Sequence, residues 1–142
     1  MQALFCTTSV RTKGSLALLV LRLICGVAFM MHGWGKIQNP MSWMGPDAAT
    51  PGIFQFLAAL SEFGGGLAWI LGLLTRLASF GILCTMVVAV WAMYSNGATF
   101  VGQPSFELPA VYFAVALCLM CLGGGKYALD RLAFRKCGVK EE

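Results

Sequence analysis

The sequence predicts an all-α fold: an antiparallel four-helix transmembrane bundle, N-in and C-in, with a short amphipathic C-terminal helix. Three observations carry this. Apolar residues make up 58% of the 142 residues and charged residues 11%, against about 45–50% and about 25% in soluble domains. Mean hydropathy is +0.77. The apolar residues gather into four continuous runs, each close to the roughly 20 residues that cross about 30 Å of hydrocarbon. A water-soluble domain of this composition lacks the polar surface to cover itself. A soluble enzyme, a nucleic-acid module and a disordered tail are thereby excluded.

The chain reads as one transmembrane domain over 1–142, with helices at about 15–36, 52–74, 76–95 and 106–124 and an interfacial tail at about 126–136. The first run, 16–31, is interrupted only by Arg22 and extends through Trp34 to Lys36. Arg11 and Lys13 precede it, as in a signal anchor that stays as the first span. The second run, 52–74, carries Gln55 and Glu62. The third, 77–94, and the fourth, 108–125, have no charge. Pro109 falls in the opening turn of the fourth, where its missing N–H costs little. Continuous rather than alternating apolar residues argue against strands.

The connections agree. Leu73-Leu74-Thr75-Arg76-Leu77 leaves room only for a tight turn, so helices two and three form a hairpin. The first connection holds Asn39-Pro40, Gly45-Pro46-Asp47 and Thr50-Pro51, which are turn signals. The third holds Asn96-Gly97 and Gly102.

Charge sets the orientation. Arg11, Lys13, Arg76, Lys126, Arg131, Arg135, Lys136 and Lys140 fall on one side, and Lys36 on the other. The positive-inside rule puts both termini in the cytoplasm. The net charge of +4 therefore reflects topology and anionic lipid, not nucleic acid.

Polar residues within the spans are the functional candidates. Arg22, Cys25, Phe29, His32 and Lys36 recur at helical spacing, as do Glu62, Gly65, Trp69, Gly72 and Arg76. The two stripes are expected to pack on each other, with Gly65 allowing close approach of helix two to helix one. A carboxylate at the depth of Glu62 must be paired, hydrogen-bonded or protonated. His32 is its first expected partner and Arg22 its second, with Glu107 completing the cluster. Glu62 then reads either as a buried clamp or as a group that handles a proton or a ligand. His32 and Glu62 are the candidate proton carriers. Arg22, Lys36, Glu62, Trp69 and Glu107 are the candidate ligand-binding residues.

No metal site is expected. His32 is the only histidine. Cys118-Leu119-Met120-Cys121 lies in an apolar helix, where cysteine acts as a small hydrophobe. Trp34, Trp43, Trp91, Tyr94 and Phe100 on one side, and Tyr127 and Phe134 on the other, read as aromatic belts.

A family likeness rests on several fragments in order. These are Leu21-Arg22-Leu23, Phe29, His32-Gly33 and Lys36; Glu62-Phe63-Gly64-Gly65-Gly66; Gly72-Leu73-Leu74-Thr75-Arg76-Leu77; Phe106-Glu107; and Gly123-Gly124-Gly125-Lys126-Tyr127-Ala128-Leu129-Asp130. Together they resemble the DoxX family of small four-helix membrane proteins over about residues 16–132. Gly124 and Ala128 stand where the family often has proline and serine. The resemblance implies a bacterial inner-membrane protein linked to redox complexes, some relatives being quinone-coupled. It implies a scaffold or accessory subunit rather than a self-sufficient enzyme. Such a subunit offers a quinone or small-molecule site, holds no covalent cofactor, and works with a protein partner or as a homo-oligomer among membrane lipids. A small-molecule transporter acting as an oligomer is the alternative.

Overall fold

The computed structural model describes residues 12–133. Cys6, Arg11, Phe134, Arg135, Lys136, Cys137, Lys140 and the end of the expected tail lie outside the described residues. Four principal helices follow: α1 (Thr12–Gln38), α2 (Gly52–Leu71), α3 (Thr75–Ser95) and α4 (Glu107–Leu122). A last short turn of helix is α5 (Asp130–Ala133). The first three are long and apolar enough to cross a membrane, and α4 is shorter at 16 residues.

The sequence explains where each helix stops. α1 ends just before Asn39-Pro40, with Lys36 in its last turn, where a cation favours the carbonyl end of the helix. Gly72, at φ 67°, closes α2 with a left-handed cap, and Leu73 N–H donates to Ala68 O at 3.0 Å. Leu74 follows at φ 51°, a conformation costing a side-chain-bearing residue about 1–2 kcal/mol. The Asp130 carboxylate holds it there. Leu74 N–H donates to Oδ1 at 2.6 Å and Thr75 N–H to Oδ2 at 2.9 Å. Asp130 thus caps the start of α3 from the far end of the chain. The 123–125 glycines end α4 and turn the chain back beneath α1; helix resumes only at α5.

α2 is not uniform. Residues Leu60–Gly64 form a π-helical turn between two α-helical segments, with Glu62 buried at its centre. Such turns often mark functional positions.

Packing is through small residues. A methyl group added at Gly66 would stand 2.7 Å from Gly26 O and 2.8 Å from Met30 N. One added at Gly33 would stand 2.5 Å from Phe63 N. These glycines bring α1 and α2 into backbone contact, the seam that apolar helices need where lipid competes equally for their surfaces. Gly65 does something else. It faces Ile82 on α3, whose side-chain carbons would lie 3.0 Å from an added methyl. The residue that admits α1 is its neighbour Gly66, one helical step around.

The core gathers Leu18, Cys25, Phe29, Trp69, Ile82, Met86, Ala116 and Leu119. Large apolar side chains such as Ile24, Val88 and Trp91 point outward. That is the arrangement of helices whose outer surface meets hydrocarbon.

Candidate functional site

α1 and α2 meet with numbers rising on one and falling on the other: Gly26 against Gly66, then Gly33 against Phe63. This register carries Lys36 to Glu62. Lys36 Nζ donates to Glu62 Oε1 at 2.7 Å. Glu62 is 4% exposed, and its other oxygen, Oε2, is buried with no partner among the described residues. The Lys36 side chain is 26% exposed. The Trp43 ring covers it, with Nζ 4.5 Å from the ring centroid, a cation–π contact.

Trp43 belongs to the connection between α1 and α2, and that connection is held on α2 by Gln55. Trp43 Nε1–H donates to Gln55 O at 3.0 Å, Met44 N–H to Gln55 Oε1 at 3.1 Å, and Gln55 Nε2–H to Thr50 O at 2.9 Å. On the other side of the π turn, Ser61 and Thr85 share a 2.5 Å hydroxyl contact that ties the turn to α3. Phe63 and Trp34 rings pack nearby at 5.8 Å between centroids.

Glu62 therefore has the polar neighbour that its depth demands, but the partner is Lys36 rather than His32 or Arg22. Helix geometry gives the reason. Counting from Arg22, His32 lies about 80° around the axis and Gly33 only about 20°. Gly33 takes the place against α2, and His32 turns outward. Its ring meets Tyr112 of α4 edge-on at 6.4 Å, and the residue is exposed. Glu107 is exposed in the first turn of α4 and does not join the pair. An acidic residue there complements the helix N-terminus.

Arg22 and Trp69 are both fully buried. Arg22 Nη1 donates to Gly124 O and Nη2 to Tyr127 O at 3.2 Å. Its guanidinium is thus occupied by the C-terminal segment, at the opposite end of α1 from Lys36. Trp69 Nε1–H donates to Ser79 Oγ at 2.9 Å, and its ring meets Phe29 edge-on at 5.4 Å. Of the six named positions, only Lys36 and Glu62 are brought into contact as a polar pair.

The cysteines do not converge. Cys25 is buried in the core, while Cys84, Cys118 and Cys121 are exposed. No group of three or more possible metal ligands occurs among the described residues.

Sequence reasoning missed Gln55 and Trp43 as parts of one arrangement. Each carried a signal: a polar residue in an apolar helix, and a tryptophan in a connection rich in turn residues. Linking them needs the path of residues 39–51, which no periodicity encodes.

Comparison with known proteins finds similar bacterial chains. The chain is 34% identical over 124 residues to "Inner membrane protein YqjF" of Escherichia coli, covering 83% of this chain and 92% of that one. It is 30% identical over 120 residues to an uncharacterized protein of Haemophilus influenzae, covering 82% and 90%. It is 28% identical over 120 residues to "Putative oxidoreductase CatD" of Bacillus subtilis, covering 82% and 87%. No solved structure matches it. Residues 17–95, which include most of α1 and all of α2 and α3, match DoxX. The chain belongs to the DoxX family of small integral membrane proteins.

Proposed function

We propose that this protein is an accessory subunit of a redox-linked complex in a bacterial inner membrane, and that Lys36 and Glu62 form its small-molecule site. The observation that carries the reading is the half-used carboxylate: Oε1 is paired to Lys36 and Oε2 is buried without a partner. A buried acceptor of this kind costs about 1–3 kcal/mol unless something donates to it. A quinone-type ring suits such a place. Its carbonyl accepts from the Lys36 ammonium, its reduced hydroxyl donates to Glu62, and aromatic side chains flank it. A relative's name as an oxidoreductase supports the redox link. A relative's name as an inner-membrane protein supports the location.

The proposed arrangement is an antiparallel four-helix bundle with both termini in the cytoplasm. Lys13, Arg76, Lys126 and Arg131 support that orientation. Lys126 Nζ lies 3.3 Å from Thr12 Oγ1, and Arg76 Nη2 donates to Cys121 O at 3.1 Å. These basic residues share the end away from Lys36, as the positive-inside rule requires of a cytoplasmic face.

The test is purification in native lipid with extraction and quantitation of quinone and of co-purifying proteins. Wild type is expected to retain quinone near one per chain, and Glu62→Gln and Lys36→Met to lose it. Equal quinone in all three would overturn the site. Loss of quinone with the protein partner retained would separate ligand binding from docking.

A further inference from the structure

Four residues form a chain of contacts that ends at the buried carboxylate: Gln55, Trp43, Lys36 and Glu62. Gln55 is 3% exposed, and it binds the connection at three points, Trp43, Met44 and Thr50. Between those points the connection holds itself only by short turns: Ser42 N–H to Asn39 O, Gly45 N–H to Ser42 O, and Ala48 N–H to Gly45 O. Gly45, at φ 96°, makes its bend. Near α2, a methyl group added at Gly52 would lie 2.9 Å from Met41 O. Side-chain attachment to the bundle is thus concentrated at Gln55. The Trp43 ring that Gln55 seats is the group that covers Lys36, and Lys36 in turn covers one side of Glu62.

We propose that residues 39–50 are a strap, latched by Gln55, that controls entry of a neutral hydrogen-bond donor to Glu62 Oε2. The chemistry of the occupant follows from the pair. Lys36 already balances the carboxylate, so an added anion would meet like charge and an added cation would compete with Lys36 for Oε1. An ionised carboxylate oxygen only accepts hydrogen bonds. The molecule that completes Oε2 therefore carries an O–H or N–H and no net charge. Opening requires the release of two Gln55 side-chain hydrogen bonds, the Trp43 Nε1–H bond to the Gln55 backbone oxygen and one cation–π contact, a local event separate from unfolding of the bundle.

The inference rests on Lys36–Glu62 being the ligand site, but its test needs no ligand. A water-soluble carbodiimide with glycinamide converts reachable carboxyl groups to amides, and peptide mass spectrometry reads each site. Glu107, exposed on α4, is the internal reference. Glu62 is expected to label far more slowly than Glu107 in wild type. Gln55→Ala removes both side-chain bonds of the latch and is expected to raise the Glu62-to-Glu107 ratio about tenfold, the effect of shifting an opening equilibrium by about 1.4 kcal/mol. Trp43→Ala is expected to raise it similarly. Trp43→Phe keeps a ring over Lys36 but loses the Nε1–H bond to Gln55 O, and is expected to fall between wild type and Trp43→Ala. That partial rescue distinguishes ring cover from general loosening.

Two results overturn the strap: Glu62 labelling as fast as Glu107 in wild type, or an unchanged ratio in folded Gln55→Ala and Trp43→Ala. Should Gln55→Ala fail to fold, the Trp43 pair decides alone. A strap that opens as expected in a protein that retains no quinone would strike the proposed function and leave the strap standing. Retained quinone with an unchanged labelling ratio would do the reverse.

Discussion

Lys36 and Glu62 meet across α1 and α2 through a 2.7 Å contact that uses one carboxylate oxygen and leaves the other buried and unpaired. The contact depends on the glycine seam below it. Gly26, Gly33 and Gly66 let the two backbones approach, and the approach brings a long lysine side chain level with the π turn of α2.

The pair should be strongly coupled. Removing one member of a buried ion pair costs about 3–5 kcal/mol, because the other charge is left stranded. Lys36 is a quarter exposed, so Lys36→Met is expected near the lower end, about 3 kcal/mol. The double variant Lys36→Met/Glu62→Gln should recover at least half of that. Reversible unfolding in mixed micelles measures it, and additive losses would show that the pair is not coupled.

The two adjacent glycines of α2 should respond differently. Gly66→Ala drives a methyl group against Gly26 O and Met30 N, which are backbone atoms and cannot turn aside. It should cost about 1–3 kcal/mol. Gly65→Ala meets the Ile82 side chain at 3.0 Å and Ala78 O at an ordinary 3.7 Å, and should cost less. Melting in detergent orders the two, and the opposite order would place the α1 seam at Gly65.

Asp130 should govern the α2–α3 turn from a distance. Asp130→Ala removes the carboxylate that accepts from Leu74 and Thr75 N–H, a loss of about 1–2 kcal/mol for a helix cap. Hydrogen exchange should quicken at those two amides first. Unchanged exchange there would mean that the cap contributes nothing.

Leu74 should be improvable. Its left-handed backbone suits glycine, and Leu74→Gly is expected to stabilise the protein by about 0.5–1 kcal/mol despite glycine's larger entropy loss on folding. A lower melting temperature would show that the leucine side chain contributes more than its backbone strain costs.

The sequence by itself determined the helical class and the family, because composition and run length report directly on transfer into hydrocarbon. It also showed that Glu62 needs a polar neighbour, since an isolated carboxylate at that depth is too costly. Tertiary structure decided which neighbour. Helical phase accumulates along α1, so a stripe drawn from Arg22 by alternating steps reaches His32 well off the contact line, while Gly33 sits on it. The choice between Gly65 and Gly66 is likewise one of rotation, about 100° per residue, set by how three helices cross. The capping of Leu74 and Thr75 by Asp130 joins residues more than fifty positions apart. Gln55 reaches Trp43 only through the path of a connection with no periodic pattern. Local composition fixes where along the chain the apolar helices run, but rotation and loop path depend on simultaneous packing of every element, and that information is not local.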